Sequence, residues 1–502
     1  MNQSVNLPPT VDDIFRYRYQ HGTNVGPIFM HGPWFDRSIS EEDIGGRREL
    51  EKIQRSLKDK GLNETKSNWE SHWLNALTED DLMWLRDVAH CNLIRLPVGF
   101  FTLGPLFCSG TVFDGEPSQV YTNCWNTIRH LLSKCYDYGI GVLIDFQTIP
   151  RGLKAAPHKE NSHDSQTCPS PHSWVLARDC VAFIVQEVTF HAMSEVVGIQ
   201  ISSDTNWGTC DLQKWYDEVL EITSCINPSL PTYISDGQDL PAALDLAMLK
   251  NKFTAGGSNS PIIVDTHRYY TAGSYRSMDP MTIIEKVHNE LAELESRPKN
   301  VISQGTAVDV FIGEYSCAID SQAWRRTDPS EQLDLTKAFG QAQVKLWASK
   351  ACGSAFCGFK TSQDKNDAWS FEKQVHAGVI SAPTWRTIPS VQILENVKQA
   401  ESQWAQIRDR SLSEVSTALD ASAVQRFTKG WDLGYSDALS FLGAIARGVM
   451  PGSSDGGDKI GAMELWVRKR IIDTQRLDTE LGIEWETGLR QGIADFYNST
   501  GI

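Results

Sequence analysis

Two acidic residues stand where short apolar runs give way to polar ones: Asp204, just past the run Val196 to Ser202, and Glu314, closing the run Val308 to Glu314. Other run ends supply Arg95, Asp145 with Gln147, Ser203, His267 with Tyr269 and Tyr270, and Lys360. Two carboxylates facing each other across one cavity can divide the breaking of a bond, one attacking carbon or removing a proton and the other delivering a proton. Retaining glycoside hydrolysis uses such a pair with carboxyl groups about 5 to 5.5 Å apart. A single acid at the end of a run is otherwise a helix cap or an ion-pair partner, so the assignment depends on what holds these ends together.

The apolar runs number eight: Thr23 to Phe29, Asn92 to Val98, Gly141 to Gln147, Val196 to Ser202, Thr232 to Asp236, Pro261 to His267, Val308 to Glu314 and Gly353 to Phe359. Amphipathic stretches lie between them, such as Asp80 to His90, Tyr121 to Tyr138, Leu212 to Ile226, Met281 to Leu294 and Leu333 to Ser349, with apolar residues three and four apart. Val142 to Ile144 and Ile262 to Val264 are apolar without alternation, as strands buried on both faces are. Eight strands alternating with helices predict an α/β fold, the (β/α)8 TIM barrel, whose strand C-termini deliver side chains to one mouth. From about Ser390 the periodicity becomes wholly helical, over Val391 to Arg408, Ala421 to Ala446, Lys459 to Thr474 and Glu480 to Tyr497. The expected division is therefore a barrel over residues 1–390 and an α-helical C-terminal module over 391–502 packed on it. Met450 to Asp458, MPGSSDGGD, reads as a flexible break within that module.

Composition narrows the partners. With Lys+Arg 47 against Asp+Glu 63, the formal charge of −16 repels phosphate backbones and anionic lipid, which excludes nucleic acid and membrane surfaces as expected partners. Met1 to Thr10, MNQSVNLPPT, lacks the basic start and apolar core of a secretory signal, and no stretch approaches a membrane span. Eleven Cys at irregular spacing predict free, mostly buried thiols and a cytoplasmic location. Without a His/Cys ligand cluster, a P-loop or a dinucleotide fingerprint, no metal or cofactor is expected. Oligomeric state is not readable from the chain.

Four segments together resemble glycoside hydrolase family 5, most closely its fungal exo-β-1,3-glucanase branch: Glu70-Ser-His72-Trp73, Asn92-Leu-Ile-Arg95-Leu-Pro-Val-Gly99, Val264-Asp-Thr-His267-Arg-Tyr269-Tyr270 and Ile312-Gly-Glu314-Tyr-Ser-Cys317. The resemblance runs in consistent order over roughly residues 15 to 385. Lys429-Gly-Trp431 and Glu484-Trp485 to Gly492 resemble the helical extension of some intracellular fungal members. The resemblance implies that Glu314 is the nucleophile, that Arg95 steadies it, and that His267 and Tyr269 line the cleaved bond.

Other positions depart from the family pattern. Where the family has Asn-Glu after the fourth strand, this chain has Ser203-Asp204; the shorter acid withdraws its carboxyl by one carbon–carbon bond, and Ser has no amide to offer a sugar 2-hydroxyl. Gln147 stands for a His, Ile28 and Gly32 for a Trp and a Glu, and Cys357-Gly358-Phe359-Lys360 for a segment carrying an indole platform. Losing sugar-binding groups while keeping two carboxylates implies an enzyme repurposed for acid/base chemistry, such as cyclisation, isomerisation, dehydration or addition, on a small molecule in specialised metabolism. Glu314 and Asp204 would exchange the protons, and Arg95, Gln147, Ser203, His267, Tyr269, Phe359 and Lys360 would bind the substrate. The alternatives are a retaining β-glucosidase or exo-β-1,3-glucanase with Asp204 as acid/base, and a non-catalytic pseudoglycosidase that binds a glucoside.

Overall fold

Parallel strands covered on both faces cannot alternate apolar with polar residues, so each of their two side-chain rows must find its own hydrophobic partner. In the computed structural model, which describes residues 7–26, 28–30, 47–148, 169–203, 205, 207–254, 257–297, 299–325, 327–360, 367–415, 419–452, 455–475 and 481–502, the two rows do so separately. Eight strands close a parallel barrel: β1 (Gln20–Asn24), β2 (Leu93–Gly99), β3 (Gly141–Thr148), β4 (Val196–Gln200), β5 (Thr232–Ser235), β6 (Ile262–Tyr270), β7 (Val310–Ile319) and β8 (Gly353–Phe356). Each lies beside its neighbour in sequence, and β8 returns to β1. Ile94, Val142, Ile144, Val196, Ile199, Val264 and Ile312 face the surrounding helices in one core. Leu93, Leu143, Val197, Tyr233, Ile263, Phe311 and Ala355 form the inner row and belong to a second core.

That second core continues out of the barrel's N-terminal end. It takes in Ile14, Phe15 and Tyr17 of α1 (Val11–Tyr17), and Trp431, Phe441, Trp466, Trp485 and Phe496 of the last helices. Around the barrel run α2 (Arg47–Asn75), α3 (Glu79–Asp87), α4 (Cys124–Asp137), α5 (Pro171–Phe190), α6 (Leu212–Ile226), α7 (Leu240–Lys250), α8 (Pro280–Val287) and α9 (Gln332–Lys350); then follow α10 (Ser390–Val415), α11 (Ala421–Gly443), α12 (Met463–Gln475) and α13 (Ile483–Thr500). The last four close the barrel from below and leave the opposite end for the mouth.

The glycines of the C-terminal helices have a packing role. A Cβ at Gly430 would stand 2.0 Å from the Trp485 carbonyl oxygen and one at Gly434 2.0 Å from that of Leu489; in return, one at Gly488 would meet Phe427 and one at Gly492 Trp431, each at 2.1 Å. Two glycines four apart on each helix thus let the α11 and α13 backbones touch. Gly434→Val must push them apart, and we expect a loss of about 3 kcal/mol, the upper end of the usual cost of overpacking, read as a lower urea midpoint. An unchanged midpoint would mean that the two helices do not meet in solution.

Among the described residues nine cysteines are free, eight of them buried and Cys225 exposed. Cys210 is disulfide-bonded, which corrects the expectation of thiols throughout. No helix among the described residues is long and apolar enough to cross a membrane.

Candidate active site

Charged side chains enter a barrel interior only when they satisfy one another, because an isolated buried charge is too costly. Here one guanidinium organises three carboxyls. Arg95 points inward from β2, with Nη1 2.9 Å from Glu314 Oε1 and Nη2 3.1 Å from Asp145 Oδ2 and 3.4 Å from Asp265 Oδ2. These side chains come from β2, β3, β6 and β7 and are almost wholly shielded from solvent. Gly313 makes this possible, since a Cβ there would lie 1.9 Å from Asp265 Oδ1. The Gly-Glu pair in the sequence is therefore a nucleophile candidate preceded by the room its neighbour's carboxyl needs.

Glu314 is held at both oxygens. Oε1 accepts from Arg95 Nη1 and from Asn24 Nδ2, each at 2.9 Å, and Oε2 accepts from the Tyr269 hydroxyl at 2.5 Å. A register shift between Thr266 and His267 brings His267 opposite Glu314 in the β6–β7 ladder. The imidazole then stands with Nδ1 3.9 Å from Glu314 Oε2 and Nε2 3.3 Å from Asp265 Oδ2, and it retains some solvent exposure. Burial holds the Tyr269 hydroxyl well above its ordinary pKa, so it stays a hydrogen-bond donor. Asn24 itself is oriented by its amide oxygen, which accepts from Gly26 N at 3.0 Å.

Of the residues singled out from sequence, Arg95, His267, Tyr269 and Glu314 converge directly. Ser203 joins them through Arg95 Nη2 at 3.1 Å, and Gln147 through Asp145, to which Nε2 donates at 2.5 Å. Both polar tips thus contact the charged network. Asp204 and Gly32 lie outside the described residues. Phe359 and Lys360, expected at the substrate, turn their side chains toward α3, while the Phe359 backbone N–H donates to the Asn24 carbonyl at 2.9 Å. Strand β8 ends at Phe356, and Gly358, at φ 98°, turns the chain. Phe359 is buried against Trp84 of α3, and Lys360 pairs with Asp81 in the first turn of that helix.

Three contributors escaped the reading of strand ends. Asn24 lies near the start of the Thr23 to Phe29 run and not at its end. Asp265 sits within the Val264 to Tyr270 segment, one row below its end. Trp369 follows β8 by more than a dozen residues, and its indole packs on the Tyr269 ring with centroids 5.3 Å apart. No local pattern marks it.

Burial pushes Asp145 up to about 7, against the opposing pull of Arg95 and the Gln147 hydrogen bond. Glu195 and Asp309 are likewise pushed up to about 7, mainly by burial. Folding therefore retains protons that the unfolded chain releases near pH 4, so this contribution is full at low pH and is lost as pH rises through about 7. His21 acts in the opposite direction: burial lowers it to about 3, which penalises folding below about pH 6.5 and not above. Between about pH 6.5 and 8 the three carboxyls outweigh what remains of the opposing His21 effect, and the thermal midpoint is expected to fall across that window. Asp145→Asn, which cannot titrate, should make the fall shallower; an equally steep profile would contradict a proton held there.

Comparison with known proteins bears on this arrangement. A family model described as Cellulase (glycosyl hydrolase family 5) matches residues 57–353, and one described as Glucan 1,3-beta-glucosidase 3 C-terminal domain matches residues 398–500. Glucan 1,3-beta-glucosidase 3 of Schizosaccharomyces pombe is 25% identical over 468 residues, covering 91% of each chain. An uncharacterized glycosyl hydrolase of Saccharomyces cerevisiae is 21% identical over 518 residues, covering 98% of this chain and 94% of its own. Among solved structures, rutinosidase from Aspergillus niger superposes with a TM-score of 0.51 at 16% identity, covering 73% of this chain and 98% of its own, a likeness of fold.

Proposed function

Because the chain belongs to glycosyl hydrolase family 5, we propose that it is a retaining β-glycosidase in which Glu314 is the nucleophile and Asp204 the acid/base. The carrying observation is the state of Glu314. With Arg95 and Asn24 on one oxygen and Tyr269 on the other, it is fixed in orientation before substrate arrives, as attack on carbon requires. In the first step a Glu314 oxygen bonds to the anomeric carbon as the glycosidic bond breaks, and Asp204 gives its proton to the departing oxygen. In the second, water loses a proton to Asp204 and its oxygen displaces Glu314 from the sugar. The name of the fission-yeast relative makes β-1,3-linked glucose the first substrate to try.

The test is to incubate the protein with a 2-fluoro-β-glucoside bearing a good leaving group and to map the added mass. The expected result is one fluoroglucosyl group on the peptide containing Glu314, formed in step with loss of activity toward aryl β-glucosides. Absence of the adduct together with absence of turnover would overturn the reading.

A second reading keeps the acid pair but changes its task to proton transfer on a small, less polar molecule of specialised metabolism. Its support is that Ser203 and Gln147 contact the charged network and that Ile28, at a family Trp position, is sealed in the core. Turnover of laminarin oligomers at ordinary enzyme rates would rule it out.

A further inference from the structure

At the barrel end opposite the mouth, the start of β7, the end of α9 and the link leading into α12 enclose a cleft of about 460 Å³. We propose that this cleft binds a small-molecule phosphate monoester. The argument is one of unmatched charge. Of the cations lining the cleft, Arg297 pairs with Asp245 at 2.8 Å and Lys350 with Glu295 at 2.8 Å. The lining acids are also occupied: Glu464 by Arg490 at 2.6 Å, and Asp309 by the Leu465 backbone N–H at 2.9 Å. Lys459 has no carboxylate partner among the described residues, and Lys299 has only the longer-range pull of Glu295, which Lys350 already pairs.

Lys459 is the more telling of the two. Its ammonium stands 5.1 Å from the Trp385 ring centroid and 4.9 Å from that of Tyr497. Those ring faces fix its position but leave a full positive charge. Burial lowers its pKa, and no acid offsets that cost. A counter-ion entering the cleft would. Two ammonium groups match a dianion, and lysine binds phosphate as a point charge without needing a planar partner. The volume exceeds that of a bare phosphate and has room for an attached body of monosaccharide size, with Val308, Ala348 and Met463 as an apolar wall. In a chain of formal charge −16, a local excess of positive charge of this kind stands against the general field.

Isothermal titration calorimetry on the full chain tests this with glucose 6-phosphate as the probe and glucose and citrate as comparison ligands. Saturable one-to-one binding of glucose 6-phosphate is expected, with no heat from glucose. Lys459→Met, which keeps the apolar stem between the rings, and Lys299→Met, at an exposed position where folding is not at risk, should each weaken binding by about tenfold, the value of one charge-assisted hydrogen bond. No binding at millimolar glucose 6-phosphate, unchanged affinity in both variants, or saturable binding of citrate with none of glucose 6-phosphate would each overturn the assignment.

Discussion

Glu314→Ala is expected to lower the turnover of an aryl β-glucoside by at least about a thousandfold while leaving the protein folded, because under the proposed mechanism it removes the atom that bonds to the sugar. Folding survives for an electrostatic reason. Arg95 keeps Asp145 and Asp265 as partners, and the cluster sheds one of three carboxylates that share one guanidinium. The thermal midpoint should therefore stay level or rise, as it does when a functional site's strain is relieved. Azide supplied to this variant can enter the vacated space and attack the anomeric carbon, so activity should return in part with an α-glucosyl azide as product. That inversion separates a missing nucleophile from a collapsed pocket. A variant within tenfold of the parent, or one that azide leaves dead although it is folded, would remove Glu314 from the nucleophile's role.

The same network shows why some of the site was legible in the sequence and some was not. Polar residues that close or interrupt an apolar run stand out in the sequence, as Arg95, His267 and Glu314 do. Asp265 lies a row deeper, where it is visible only once Gly313 is known to leave it space. Most strands were readable as apolar runs for a comparable reason: both faces are covered. β1 was placed three residues late because its own sequence, Gln20–Asn24, is polar. Some of those polar groups find partners inside the barrel, Gln20 Nε2 on the Phe15 carbonyl at 2.6 Å and Thr23 Oγ1 on that of Phe356 at 3.0 Å, while the apolar Val25, Ile28 and Phe29 that follow pack in the outer core as a loop. Hydrophobic pattern locates burial, and here burial and ladder pairing part company. Helix α2 is long, highly charged and bent at Gly61, φ 77°, so its apolar residues fall in two short stripes, Leu50, Ile53 and Leu57 before the bend and Leu62, Trp69 and Trp73 after it.

Composition misled most at the link between α11 and α12, and there the second large effect is expected: Asp458→Ala should cost roughly 3–5 kcal/mol, as breaking a buried ion pair does when one partner is removed. The GSSDGGD run reads as a flexible break, yet its last residue, Asp458, is fully buried. Asp458 Oδ2 meets Arg18 Nη1 at 3.0 Å, and Oδ1 meets Arg386 Nη1 at 2.9 Å and Asn92 Nδ2 at 3.1 Å. Burial opposes its ionisation, but the two guanidinium groups prevail and hold its pKa below the ordinary carboxylate range. The adjoining glycines serve close approach rather than looseness, since a Cβ at Gly456 would lie 2.2 Å from the Arg386 carbonyl oxygen and one at Gly457 2.5 Å from Leu442 Cδ1. Removing the carboxylate strands two arginines in a dry interior, one next to β1 and the other in the segment leading to α10. Asp458→Asn keeps an acceptor but not the charge and should fall between the variant and the parent. Urea denaturation followed by tryptophan fluorescence reads both, and glycosidase activity per folded molecule should not change, because the anchor lies at the barrel end away from Glu314. If Asp458→Ala unfolds at the parental urea concentration, the buried cluster of Asp458, Arg18 and Arg386 contributes nothing net to stability.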